Sequence, residues 1–423
     1  MNSNIKDIFQ QALTSHQEGK LEEAMVIYKK ILEIKPDLAE AHNNLGIILQ
    51  QLNRNDEAEK SFKKALEIRP NFADAHNNLG IVFHLMKKLD EAKESFNKAV
   101  ELKHDYFVAY NNLGKIFHQL DKLDEAEESF KKALKIKPDF IEALNNKGTI
   151  LFKKKNFELS LKDFDNINTS TSRFSALLSL YGLGRIDEIY ERIKINSKLD
   201  EKNLSVAAFA SFIAAKEKKD TANKFCNKPL DFIKFSNLSS HLKNSNSFID
   251  EVIEELGNVK TRWEPLDKTT IKGFQSEKYI NLFQDPSGKM NNLKSIILDE
   301  IDSYYFKFKD ENCTFIQNWP AKKNIKGWHV ILKQQGYQNA HIHPSGWLSG
   351  VIYLKVVPPL EQNEGAIEFS LNGDYYFDEN SPKIMHEPKV GDIVLFPSSL
   401  HHRTIPFSTD ADRIIVSFDS RPN

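Results

Sequence analysis

Residues 39–72 read AEAHNNLGIILQQLNRNDEAEKSFKKALEIRPNF, and this stretch decides the fold of the first part of the 423-residue chain. The segments beginning at Ala73 and Phe107 repeat it at a period of 34 residues, and weaker copies cover residues 5–38 and 141–174. Each copy has the pattern of a helix, a turn and a second helix. A fixed period of this length predicts an all-α solenoid of about five units over residues 1–174.

Small residues and prolines recur in these units and indicate how the helices pack. A glycine in the first helix lets the two helices of a unit approach closely, and a proline ends the second helix because it cannot donate the helical hydrogen bond. The glycines are Gly46, Gly80, Gly114 and Gly148, and the prolines are Pro36, Pro70 and Pro138. These residues resemble the tetratricopeptide repeat family, which implies a superhelix with a concave inner face.

A column of asparagines also recurs at one-unit spacing: Asn44, Asn78, Asn112 and Asn146. In repeat proteins that this sequence resembles, asparagine at this place lines the concave groove and hydrogen-bonds the backbone of an extended peptide. The resemblance therefore implies a peptide or protein partner. The alternative is that the motif NNLG is a consensus whose asparagines are solvated.

The composition changes along the rest of the chain. Residues 175–246 retain the pattern of helices and then turn to Asn, Ser, Lys and Pro from about residue 223, which indicates a degenerate helical cap followed by a connector. All four tryptophans lie after residue 260. The chain is thus predicted to be multidomain, with a domain of a different kind over residues 247–423.

Short segments rich in Val, Ile, Phe and Tyr fill that last domain and are bounded by Gly, Pro, Asn or Asp. The segments are GWHVILKQQ, LSGVIYLKVV, GAIEFSL, DIVLFPS and RIIVSFD. Amphipathic helices precede them. This pattern predicts an antiparallel double-stranded β-helix, or jelly roll, with flanking helices.

Histidines in this domain indicate a metal site. His341 and His343 are two residues apart, so on an extended segment both side chains project to one face. His402 follows the strand DIVLFPS, where a jelly roll can return the chain beside its earlier strands. Three neutral imidazoles would leave other coordination positions open, as non-haem iron oxygenases require. The usual triad of such enzymes has a carboxylate where His343 stands, so an alternative is that only one of the pair binds metal.

Arg413 opens the strand RIIVSFD and shares a face with Ile415 and Ser417. A guanidinium in this place can hold a carboxylate through two hydrogen bonds. We therefore expect it to bind a cosubstrate; the alternative is an ion pair with Asp410 or Asp412 at the surface.

Four motifs together resemble a known family: WEPLDKTTIKGFQS, GWHVILKQQGYQNAHIHPSGWLSGVIYL, GDIVLFPSSLHHRTIPF and DADRIIVSF. They look like the 2-oxoglutarate and iron(II)-dependent oxygenases found fused to tetratricopeptide repeats in bacteria. The resemblance implies that His402, and not its neighbour His401, is the distal ligand, and that Arg413 holds the far carboxylate of 2-oxoglutarate. A serine found in some members is Ile415 here, so Ser417 or Tyr353 is expected to substitute.

The charge balance gives no field for nucleic acid or an anionic membrane, since 58 basic side chains oppose 59 acidic ones. With two cysteines and no apolar segment of membrane-spanning length, the chain is expected to be cytoplasmic. The favoured hypothesis is an Fe(II)- and 2-oxoglutarate-dependent dioxygenase that hydroxylates a peptide or protein. The alternatives are a repeat scaffold with an inactive jelly roll and a three-histidine dioxygenase that does not use 2-oxoglutarate.

Overall fold

The computed structural model describes residues 3–265 and 268–421. Its contacts divide the chain into two compact units, Met1–Gly184 and Arg185–Asn423. Leu266 and Asp267, which belong to the motif that opens with Trp263, lie outside the described residues.

Helices alone form the first unit, as the 34-residue period predicts. They are α1 (Ser3–Gln17), α2 (Leu21–Ile34), α3 (Ala39–Gln51), α4 (Asn55–Ile68), α5 (Ala73–Leu85), α6 (Leu89–Leu102), α7 (Phe107–Gln119), α8 (Leu123–Ile136), α9 (Ile141–Lys153), α10 (Phe157–Asp165) and α11 (Ser170–Gly182). Helices α2, α4 and α8 each end two residues before a proline, because the residue before proline is pushed out of the helical region. The solenoid prediction is confirmed.

Glycine sets the distance between the two helices of a unit. An added Cβ at Gly80 would lie 2.8 Å from the ring of Phe96, and one at Gly114 would lie 2.6 Å from the ring of Phe130. Both rings are fully buried. A larger residue would therefore force the paired helices apart, which explains why glycine recurs at one position of each repeat.

The second unit has helices around two sheets. The helices are α12 (Ile186–Ile195), α13 (Leu204–Glu217), α14 (Ser245–Leu256), α15 (Gly288–Phe308) and α16 (Thr314–Gln317). Within the ranges that the structure describes, no helix of either unit combines the length and apolar character needed to cross a bilayer.

Ten strands, counted over the described residues, build the sheets of this unit. They are β1 (Lys234–Asn237), β2 (Thr261–Trp263), β3 (Thr270–Ser276), β4 (Asn324–Gln338), β5 (Leu348–Lys355), β6 (Ile367–Ser370), β7 (Lys383–His386), β8 (Asp392–Pro397), β9 (His401–Thr404) and β10 (Arg413–Arg421). The larger sheet has the order β1-β8-β5-β10-β4-β3-β2 and the smaller one β7-β6-β9. All pairs are antiparallel, which confirms the jelly roll.

The segment from about residue 223 to 247 does more than connect the domains. It contributes β1, whose residues pair with β8 from Lys234↔Leu395 to Asn237↔Asp392 and so extend the larger sheet. The composition of this segment resembles that of a linker because β1 is an edge strand of only four residues, none of which is fully buried.

The two faces of β10 explain where the site lies. Val416 and Phe418 point to a large apolar core that includes Leu293 and Ile297 of α15. Residues of the other parity, from Arg413 to Arg421, therefore face the opposite side of the sheet. The candidate site is built on that side.

Candidate metal centre

Three histidines from two parts of the jelly roll meet on this inner side. His341 and His343 lie in the segment after β4, and His402 lies in β9. One ring nitrogen from each lies within 4.8 Å of the others. The ring centroids are 5.1 Å apart for His341 and His343, and 4.3 Å apart for His341 and His402. Within the described ranges these are the residues that could together hold a metal ion.

The Nδ1 atom of each ring already has a partner. That of His341 is 2.6 Å from the carbonyl oxygen of Asn339, and that of His402 is 3.2 Å from the carbonyl oxygen of Leu400. In His343 it is 2.5 Å from Oδ1 of Asp419. Acceptors at Nδ1 fix the tautomer that keeps the proton there, which leaves the Nε2 lone pair of every ring for a cation.

Asp419 is a candidate site residue that the sequence pattern did not reveal. It is buried, and its Oδ1 also accepts a hydrogen bond from Ser349 Oγ at 2.8 Å. Ser349 Oγ in turn lies 2.8 Å from Ser398 Oγ. A carboxylate behind a ligating imidazole orients the ring and raises its basicity. Alternation along the strand could have revealed it, because Asp419 is the next residue on the face that carries Arg413, Ile415 and Ser417.

Burial keeps two of the rings neutral. Desolvation, followed by repulsion from His343, lowers the pKa of His341 to about 3. Desolvation also lowers the pKa of His402 well below its ordinary value, and the ring packs against Phe396 at a centroid distance of 4.6 Å. A neutral imidazole has the free lone pair that a metal requires.

Neighbouring histidines do not join the cluster. His401 points away from His402, as alternation along β9 requires, and faces the ring of Tyr376 at 5.6 Å. Burial lowers the pKa of His401 to about 4. His386 lies 3.2 Å from Asp392 in a separate ion pair.

Arg413 is completely buried beneath the histidines. Among the described residues its guanidinium has no carboxylate partner; Nη1 donates to the carbonyl oxygen of Gly365, and Nε has no hydrogen-bond partner at all. Asp412, the alternative partner, instead pairs with Lys333 at 2.8 Å. A buried charge without a counter-ion is costly, so this position is suited to an anion.

A narrow pocket joins the arginine to the histidines and brings the other predicted residues to one wall. Ser417 lines it on the same strand face as Arg413. Tyr353, on the neighbouring strand β5, has its ring centroid 5.0 Å from the guanidinium carbon. Burial raises the pKa of Tyr353 to about 12, and the nearby Arg413 opposes this rise.

The predicted asparagine column forms a ladder between repeats. Nδ2 of Asn78 donates to Oδ1 of Asn43 at 3.0 Å, and Nδ2 of Asn112 donates to Oδ1 of Asn77 at 3.1 Å. Asn146 makes the equivalent bond, while Asn44 donates to the hydroxyl of Tyr28. One N–H of each amide therefore joins adjacent units, which leaves one N–H for a ligand. Peptide binding by this column stays a prediction.

Comparison with known proteins supports both halves of this architecture. A family model described as "Putative 2OG-Fe(II) oxygenase" matches residues 326–419, which include the three histidines and Arg413. Models described as tetratricopeptide repeats match residues 14–53, 37–103 and 71–139. No curated protein sequence matches the chain.

Several solved structures are similar to part of the chain. PilF of Pseudomonas aeruginosa is 23% identical with a TM-score of 0.43, over 48% of this chain and 96% of that one. The pilus biogenesis factor PilW is 20% identical with a TM-score of 0.44, over 49% and 98%. YrrB, described as a TPR protein with an unusual peptide-binding site, is 26% identical with a TM-score of 0.34, over 38% and 82%. The family models thus find tetratricopeptide repeats within residues 14–139 and a domain described as "Putative 2OG-Fe(II) oxygenase" over residues 326–419, which matches a fusion of repeats with such a domain.

Proposed function

We propose that this protein is an Fe(II)- and 2-oxoglutarate-dependent dioxygenase, with iron held by His341, His343 and His402 and the far carboxylate of 2-oxoglutarate held by Arg413. The observation that carries the proposal is the pairing of three free Nε2 positions with a buried guanidinium that lacks a counter-ion in one pocket. Imidazole nitrogens suit iron, and a planar guanidinium suits a carboxylate.

The donor set fits these groups. Three neutral imidazoles occupy one side of the metal position and leave the other side to small ligands. Iron with 2-oxoglutarate and dioxygen would supply the oxidising power that converts a substrate C–H bond into an alcohol, with one oxygen atom of O2 entering the alcohol, the other entering succinate, and carbon dioxide released. As metal ligands the three imidazoles would contribute no negative charge, so a bound dianion would offset the charge of Fe(II) that a carboxylate ligand usually offsets.

The chain's own side chains orient the histidine rings and exclude water from them. Asp419 and Ser349 fix the ring of His343, and Phe396 shields that of His402 from water. The second N–H groups of Arg413 and the hydroxyl of Tyr353 are donors turned to the same end of the pocket. Nε of Arg413, which lacks a partner among the described residues, would gain one when a carboxylate enters.

An anaerobic titration of the full chain with Fe(II) and then 2-oxoglutarate tests the proposal. Chelation of iron by the keto acid gives a metal-to-ligand charge-transfer band in the visible region. We expect the band in the wild-type chain and its loss in Arg413→Gln, while Lys333→Gln, which removes a surface cation from the same part of the fold, keeps it.

The same titration separates the rival functions. Iron binding without the band, in the wild-type chain, would favour a three-histidine dioxygenase that does not use 2-oxoglutarate. A chain that fails to bind iron would act as a repeat scaffold with an inactive jelly roll. The cluster of three Nε2 atoms favours an enzyme over an inactive scaffold. The buried Arg413, whose Nε has no partner among the described residues, favours an enzyme that uses 2-oxoglutarate over one that does not.

We also propose that the repeats bind a peptide segment through Asn44, Asn78, Asn112 and Asn146. The remaining N–H of each amide would donate to a peptide carbonyl, and the ladder holds the four amides at the spacing of one repeat. Cross-linking of the full chain to a library of photoreactive peptides, followed by mass spectrometry, tests this. Cross-links that avoid helices α3, α5, α7 and α9 would contradict it.

A further inference from the structure

A second cavity opens directly outside the three histidines. It is larger than the inner pocket, is open to solvent, and shares Trp328, His341 and His343 with it. The inner pocket ends at Arg413, so the metal position lies between two spaces. Because the inner one is assigned to 2-oxoglutarate, the outer one is the space from which another molecule can reach the metal.

Three cations line this outer cavity: Lys268, Lys326 and Arg421. In the part of the chain that the structure describes, none of the three forms an ion pair. Lys326 Nζ donates to the carbonyl oxygen of Lys278 at 3.3 Å, and Arg421 Nη2 donates to Ser345 Oγ at 3.2 Å. Nε of Arg421 is buried and has no partner.

A single carboxylate cannot balance these three cations. Among the described lining residues it is Asp419, whose Oδ1 is hydrogen-bonded to His343 and Ser349. Burial, together with repulsion from Arg421 and Lys268, lowers the pKa of Lys326. The mouth of the site therefore has an excess of positive charge that an anion would relieve.

Strand register places these cations next to the metal ligands. In the pairing of β10 with β4, Asp419 lies opposite Lys326 and Ser417 lies opposite Trp328. Arg421 follows Asp419 on the same face of β10. The ammonium and the guanidinium thus flank the carboxylate that orients His343, on rigid strands of the larger sheet.

We propose that the outer cavity receives a substrate that carries an oxyanion, a carboxylate or a phosphate, held by Lys326 and Arg421 beside the metal. This inference names the substrate class and rests on the proposed function. Charge-assisted hydrogen bonds from the two side chains fix the anion, which leaves the neighbouring C–H bond of the substrate to face the histidines. Lys268, which is exposed, adds to the potential that attracts the anion.

The first experiment measures oxyanion binding in the metal-free full chain with Arg413→Gln, where the inner cation cannot compete. Inorganic phosphate and acetate are titrated separately while the fluorescence of Trp328, assigned by its loss in Trp328→Phe, is followed. We expect saturable quenching that weakens about tenfold in Lys326→Gln and in Arg421→Gln, the loss of one charge-assisted hydrogen bond. Lys322→Gln, an exposed lysine outside the cavity, serves as the control. Tighter binding of phosphate or of acetate distinguishes the two oxyanion sources.

A second measurement covers the case in which small ions bind too weakly to saturate. A thiol is placed at the rim by Ser345→Cys, and mass spectrometry follows its modification by a sulfonate-bearing and a trimethylammonium-bearing thiosulfonate of similar size. We expect the anionic reagent to react faster than the cationic one, with a rate ratio about tenfold above the ratio for a free thiol. In Lys326→Gln this preference should be lost. Equal rates for both reagents, or quenching that ignores Lys326 and Arg421, overturns the proposal.

The charge-transfer band keeps the two proposals apart. Lys326→Gln and Arg421→Gln should retain the band formed with Fe(II) and 2-oxoglutarate, because neither residue lines the inner pocket. Oxyanion binding without the band in the wild-type chain would reject the proposed function alone. The band without oxyanion binding would reject the substrate class alone.

Discussion

His341 and His402 exchange both of their backbone hydrogen bonds. The amide of each donates to the carbonyl oxygen of the other at 3.1 Å, which forms an isolated antiparallel bridge. The bridge joins the segment after β4, in the larger sheet, to β9 in the smaller one. Residues paired in this way start their side chains from neighbouring positions. The backbone therefore sets the spacing of two metal ligands before any metal binds.

Asp419→Asn should weaken iron binding and leave the fold intact. The amide keeps the shape of the side chain but removes the negative charge behind His343, so the ring becomes a poorer ligand. We expect a loss of about 10- to 100-fold in Fe(II) affinity. Anaerobic competition against a chromophoric chelator measures it, with Asp412→Asn, which alters only a surface ion pair, as the control. An unchanged affinity would show that Asp419 does not tune the site.

The cosubstrate should stabilise the wild-type chain and not Arg413→Gln. A ligand that binds only the folded state adds about 2.7 kcal/mol at a concentration 100 times its dissociation constant. Thermal unfolding of the Fe(II)-loaded chain, with and without 2-oxoglutarate, measures the difference by tryptophan fluorescence. All four tryptophans lie in the second unit. Lys333→Gln should keep the shift; an equal shift in Arg413→Gln would mean that the cosubstrate is anchored elsewhere.

The buried Glu300 should make the second unit acid-sensitive. Burial alone would raise the pKa of this carboxyl, but hydrogen bonds from Lys234 at 2.7 Å and His241 at 2.6 Å hold it below its ordinary value of 4.5. Because the folded pKa is depressed, the stabilisation is present above about pH 4.5 and is lost as the pH falls through the folded pKa.

Glu300→Gln should therefore lower the free energy of unfolding at pH 7 by about 3 kcal/mol, since it leaves Lys234 without its partner. The deficit should shrink towards pH 3. Urea unfolding followed by tryptophan fluorescence between these pH values gives the profile. Glu251→Gln, which removes one member of an exposed pair with Lys289, should leave it unchanged. Parallel profiles for wild-type and Glu300→Gln chains would contradict the assignment.

The asparagine ladder should stabilise the solenoid without any ligand. Asn112→Ala leaves Oδ1 of the buried Asn77 without its donor, at a cost of about 1 kcal/mol. Urea unfolding followed by circular dichroism at the helical band measures it. Asn97→Ala, on a second helix and away from the ladder, should show no such loss. If Asn112→Ala is as stable as the wild type, the asparagines serve ligand binding alone.

The solenoid was predictable because the same packing residues recur in each repeat. Gly80 and Phe96 recur one unit later as Gly114 and Phe130, so a correct prediction of the helix packing in one unit applied to the others. The central strands of the jelly roll were also clear from the sequence, since both faces of β5 and β8 are buried and apolar. Edge strands such as β1 have too few apolar residues to be distinguished from loops.

The clustering of His341, His343 and His402 was predictable because three histidines in strand context point to a common site. Their role as metal ligands stays a prediction. The hydrogen-bond partners of these histidines were not predictable from the sequence. The carbonyl oxygens of Asn339 and Leu400 that fix two of the rings belong to the backbone and leave no trace in residue identity. The outer cavity depends on the register between β4 and β10, which brings Lys326 beside Asp419 from a distant part of the sequence.

One strand face carries a cation at each end. Arg413 and Arg421 occupy the two ends of β10, roughly 26 Å apart along an extended backbone, with the metal ligands between them. The inner end is sealed in the protein, whereas the outer end borders solvent. Substitutions at the outer end can therefore change which molecule is accepted without disturbing the chemistry at the inner end. Strand β10 thus separates the inner position, which the proposed chemistry requires, from the outer position, which can vary with the substrate.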